Sequence, residues 1–157
     1  MDNDFLILPM KTQLEIEKNE LLSCNQMTAR FGLALSGPQI QTLAEHHFYA
    51  LQNTGRVEFG EGILKKLIYA FCDSPYLFQD NYENTLLALQ DLFYDFKNES
   101  MDRLSDDELI EAMKTVFNNK AHGSLDYLSG ASPETLYRAA CGEVPIEEAE
   151  IWEEEDD

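Results

Sequence analysis

The amino-acid sequence predicts an all-α protein: a compact bundle of six to seven short helices around a central apolar helix at about residues 81–98. Three observations carry this expectation. Apolar residues recur at three- and four-residue intervals along most of the chain, the period of a helix face. Helix-start signatures repeat, each a Ser, Thr or Asp followed three residues later by Gln or Glu. The eight glycines and five prolines punctuate the periodic segments. With 157 residues, 44% of them hydrophobic, the chain can build one domain with a substantial core. That domain is expected over residues 1–142, followed by a flexible acidic tail at 143–157.

Each element follows from its own residues. Thr12-Gln-Leu-Glu15 has the form of a capping box opening a first helix. Leu14, Leu21, Cys24, Met27 or Thr28, and Phe31 fall near one face, and Gly32 is its stop. Leu33-Ala-Leu35 reads as extended. Ser36, Pro38 and Gln39 open the second helix, whose stripe is Ile40, Leu43, Ala44, His47, Phe48 and Leu51, with Gly55 at its end. Arg56–Phe59 alternates polar and apolar, which suggests a small two-stranded ribbon of 56–59 with 33–35. Gly60-Glu-Gly62 leads into a third helix with a stripe at Ile63, Leu64, Leu67, Ile68, Phe71 and Cys72. Ser74-Pro75 ends it, because a residue before proline is pushed out of helical geometry.

Asp80-Asn-Tyr-Glu83 reads as a further capping box. The helix behind it is apolar almost all round, which places it at the centre. Ser105 and Glu108 form another box, with Leu104 and Leu109 placed for a hydrophobic staple. Asp106 and Asp107 sit where the helix dipole favours negative charge. Ser132-Pro133-Glu134 starts the last helix, and Gly142 is its expected stop.

Charge limits the partners. Thirty Asp and Glu face eleven Lys and Arg, a formal net charge of −19. Phosphate backbones are held by cations, so nucleic acid is not an expected partner, nor is an anionic membrane surface. Nine acidic groups lie in 143–157, leaving −10 for residues 1–142. No run approaches the ~18 apolar residues of a membrane span. Met1-Asp-Asn-Asp4 is acidic where a secretory leader is basic, so a cytoplasmic location is expected. Cys24, Cys72 and Cys141 lack a C-x-x-C pair and are expected to be reduced.

The candidate sites are few. The interval 93–109 places Lys97 or Arg103 at ligand positions of a calcium loop, in whichever register it is read, and a cation there repels the metal. Adjacent His46 and His47 diverge around a helix and cannot share a metal as an i, i+4 pair can. His47 sits on an apolar stripe and is read as a hydrogen-bonded histidine. No cofactor and no specific metal are expected, and no catalytic arrangement can be named. Arg56, Gly60, Gly62 and Lys65 could cradle a small anion at a helix start, although Glu61 stands among the glycines. In the tail, Ile146, Ile151 and Trp152, the one tryptophan, form an apolar anchor for a partner.

The run from Ala50 to Tyr76, with Gln79-Asp-Asn-Tyr82 and Arg103-Leu-Ser-Asp-Asp-Glu-Leu109, resembles a family of small acidic proteins of unknown function from Gram-positive bacteria. The resemblance covers about residues 8–140 and implies a bacterial cytoplasmic protein. It brings no activity, cofactor or catalytic residue. The expected function is a non-catalytic protein–protein interaction module. The alternative is a binding protein or enzyme for a small anionic ligand at 55–66.

Overall fold

A computed structural model describes residues 2–55, 62–99 and 103–141, with side chains from Thr12 onward. Among them lie seven α-helices and no strand: α1 (Asp2–Thr28), α2 (Gly37–Thr54), α3 (Ile63–Phe71), α4 (Tyr82–Glu99), α5 (Asp106–Asn119), α6 (Leu125–Ser129) and α7 (Pro133–Ala140). The all-α expectation holds. Arg56, Gly60, the 56–59 half of the expected ribbon, Gly142 and the tail with Ile146, Ile151 and Trp152 lie outside the described residues. The chain divides into two compact units, Met1–Tyr94 and Asp95–Asp157, and the division falls within α4.

In the first unit α1 packs against α2 and α3. The buried stripe of α1 holds Leu21, Cys24 and Thr28, whereas Phe31, expected on it, is exposed in the 3₁₀ turn at Ala29–Phe31 that follows; the stripe of α2 holds Ile40, Leu43, Ala44 and His47. Helix α3 has nine residues, too few to persist alone in water. Tertiary burial holds it, since Ile63, Leu64, Leu67, Ile68 and Phe71 are all sequestered, and each such side chain contributes about 1.5–3 kcal/mol.

Local signals set most helix ends. Ser36 accepts the N–H of Gln39 through its hydroxyl, and Gln39 Oε1 accepts the N–H of Ser36, a complete capping box. Ser105 and Glu108 repeat the arrangement on α5. Gly32 and Gly55 end their segments at φ 77° and 69°, a left-handed geometry that a side chain would strain.

Two starts differ from expectation. Helix α1 runs through Thr12 without a break. Thr12 and Glu15 are therefore exposed mid-helix residues, because the preceding residues extend the helix beyond the box. Helix α4 is entered through a 3₁₀ turn at Gln79–Asn81, which contains Asp80. There Asn81 Oδ1 accepts the N–H of Phe78 at 2.8 Å. Nor is α4 apolar all round. Tyr82, Leu86, Leu89, Phe93 and Phe96 are buried, while Asn84, Asp91, Asp95 and Asn98 keep one edge in solvent.

Residues 33–35 belong to no helix or strand, and side chains satisfy most of their backbone groups. Thr28 Oγ1 donates to the Leu33 carbonyl, Gln79 brackets both backbone groups of Ala34, and Asn25 does the same for Leu35.

In the second unit α5 packs against α7 and α6. Leu109, Ala112, Met113, Val116 and Phe117 face inward with Leu128 and Leu136. The buried Lys97 donates to the Leu104 carbonyl at 2.8 Å and pairs with Asp106 at 2.9 Å. It thereby ties the end of α4 to the start of α5. Cys24 and Cys72 are buried thiols and Cys141 is an exposed one.

Candidate functional site

Helix α1 places Gln13, Glu17 and Glu20 at i, i+4 and i+7, with Leu14 and Ile16 beside them. That spacing puts them near one face. Helix α2 turns His47, Phe48 and Leu51 toward them, and together with Gly62 these are the described residues that line an open cavity of about 160 Å³. Leu14, Ile16, Phe48 and Leu51 make its walls apolar, and Glu17 and Glu20 add carboxylates. Pockets for drug-sized ligands run ~300–1,000 Å³, so this volume suits one inserted side chain.

His47, 4% exposed, is fixed from both sides. Its Nδ1–H donates to Glu17 Oε1 at 2.7 Å. A carboxylate only accepts, so Nδ1 carries a proton, and the opposite nitrogen, Nε2, lies 3.1 Å from the Tyr94 hydroxyl oxygen. The imidazole and phenol rings also stack, with centroids 6.4 Å apart. A carboxylate–imidazole–hydroxyl series has the form of an activated nucleophile. Its hydroxyl, however, belongs to Tyr94, which is 3% exposed, so the series ends inside the protein. The neighbouring His46 points elsewhere, to Asp91 Oδ1 at 2.8 Å in an exposed pair.

Of the four residues expected to hold an anion, Gly62 lies on the cavity wall. Lys65 is half-buried, with its ammonium 5.7 Å from the Tyr69 ring centroid. Arg56 and Gly60 lie outside the described residues. The sequence reading reached His47 as a hydrogen-bonded residue but missed Glu17. The one signal for Glu17 was its spacing with Gln13 and Glu20. Among the described residues no group of three or more His, Cys, Asp or Glu is placed to hold a metal.

A second cavity, about 460 Å³, lies in the other unit beside Lys120, Asp126, Tyr127, Ser132 and Thr135. It is the larger, but its hydroxyls serve the fold. Ser132 Oγ accepts the Thr135 N–H at 3.1 Å, and the two hydroxyls bond at 3.0 Å. These groups cap α7, which makes the α1/α2 cavity the better candidate.

An all-helical protein with a small, acid-lined cavity is the class that fold and site define. The chain belongs to a family of unknown function, DUF6323, whose pattern matches residues 20–143. No curated protein and no solved structure matches it. No helix among the described residues is long and apolar enough to cross a membrane.

Proposed function

We propose that this chain is a non-catalytic interaction module of the bacterial cytoplasm and that its partner is another protein. The observation that carries this reading is the α1/α2 cavity, which is sized for one side chain and has apolar walls. Interfaces concentrate their energy in such anchor pockets. The rim fits as well. Ile16 is 56% exposed on the cavity wall. Exposed Tyr49 meets Phe48 edge to face, with centroids 5.6 Å apart, and tyrosine is enriched at interfaces. The buried end of the His47 series supports a structural role for it, because a substrate would have no access to Tyr94.

A photo-crosslinking side chain at position 16 tests the proposal in cells. A discrete protein adduct is expected, and Leu51→Trp, which fills the cavity, should abolish it. An absent adduct, or one indifferent to Leu51→Trp, would sink the reading.

A further inference from the structure

We infer that the side chain seated in the α1/α2 cavity is a lysine or arginine from a basic segment of the partner; this rests on the interaction reading above and narrows it. Leu14, Phe48 and Leu51 offer apolar surface of the kind that covers a methylene stem, and Glu17 shares their cavity. Lysine and arginine are the side chains that join such a stem to a cationic head. Among the described residues Glu17 accepts one hydrogen bond, at Oε1 from His47, and a carboxylate has about four acceptor positions. Its side chain is 15% exposed, so its charge is less screened than in open water and a cation there is worth more. A leucine in the cavity would desolvate that carboxylate without a counter-charge, and a glutamate would meet like charge. The net charge of −19 favours encounter with basic segments and disfavours acidic ones.

The test uses the full chain and fluorescein-labelled short peptides of one neutral sequence, differing only in a central Lys, Arg, Leu or Glu. Anisotropy should show the Lys and Arg peptides binding at least about tenfold more tightly than the other two, a difference of about 1.4 kcal/mol. Leu51→Trp fills the cavity without changing charge and should erase the preference. Glu17→Gln should reduce it. Because Glu17 also holds His47, thermal melting checks that the variant is folded, and Leu51→Trp gives an arm independent of that contact. Equal or tighter binding of the Leu peptide overturns the basic anchor while leaving the interaction module standing. A Lys preference that survives Leu51→Trp overturns it too, since the acidic surface alone would then be the attractant. Failure of all four peptides to bind also overturns it, and the crosslink at position 16 separately decides the interaction reading.

Discussion

The Asn25 side chain closes on both backbone groups of Leu35: its Nδ2 donates to the carbonyl at 3.0 Å, and its Oδ1 accepts the N–H at 2.8 Å. An amide is thus used as a neighbouring strand would be. Gln79 repeats the device on Ala34, with bonds of 2.8 and 2.9 Å. Leu35 is buried and Ala34 exposed, so the two amides should differ in worth. Asn25→Ala leaves the two part-buried backbone groups of Leu35 without this partner and should cost about 1–3 kcal/mol for each that water cannot reach. Gln79→Ala lets water replace the amide and should cost under about 1.5 kcal/mol. Chemical denaturation of both variants checks this; equal losses would mean that Leu35 is not shielded.

Gln90 lies on α4 with 0% exposure, and neither its Nε2 nor its Oε1 has a hydrogen-bond partner among the described residues. An unpaired buried amide is costly, and methionine has a similar length and volume without it. Gln90→Met should therefore stabilise the protein by about 1–3 kcal/mol. A loss of stability would reveal that the amide has a bonding partner in solution.

Tyr82 is buried, and burial pushes its phenol above its ordinary range against a smaller opposing pull from the neighbouring Thr28 hydroxyl. The sign follows from linkage. Above pH ~10 the unfolded chain loses this proton while the folded chain retains it. Stability is therefore complete below that pH and falls as pH rises toward the folded value. Tyr82→Phe should flatten the alkaline decline in melting temperature. An identical decline in both proteins would assign it to other groups.

Ser105 holds the Glu108 N–H at 3.2 Å. Ser105→Ala should cost ~0.5–2 kcal/mol, and Ser105→Gly only a few tenths. Indistinguishable, negligible effects in urea melts would show that the cap does not anchor α5.

Phe93 is sequestered on α4 and meets Tyr94 edge to face, with centroids 5.2 Å apart. Phe93→Ala should cost ~3–5 kcal/mol, a large share of the stability of a typical domain. A melting temperature that barely moves would show that the site collapses around the smaller residue.

Helix identity and most helix ends were legible in the chain itself. Ser36 with Gln39, Ser105 with Glu108, and the stops at Gly32 and Gly55 act within a few residues, so their geometry follows from local spacing. The same pattern misled at Thr12 and Glu15. A capping box describes an end only when the chain before it leaves the helix, and here α1 continues backward to Asp2. The outward edge of α4 was equally hidden, because a stripe of Asn and Asp becomes visible only when the neighbours that cover the other side are known.

The sequence by itself determined an all-α chain, its helix order and an acidic charge balance, since these depend on period, propensity and counting. Only the tertiary structure decided that Glu17 holds His47 across 30 residues and that His47 holds Tyr94 across 47. It alone placed Asn25 on Leu35 and drew Leu14, Phe48 and Gly62 around one cavity. The physical reason is that spacing fixes which residues share a face of one helix. Which faces meet is set by burial and hydrogen-bond satisfaction over the whole fold, where contacts are made between residues far apart in the chain.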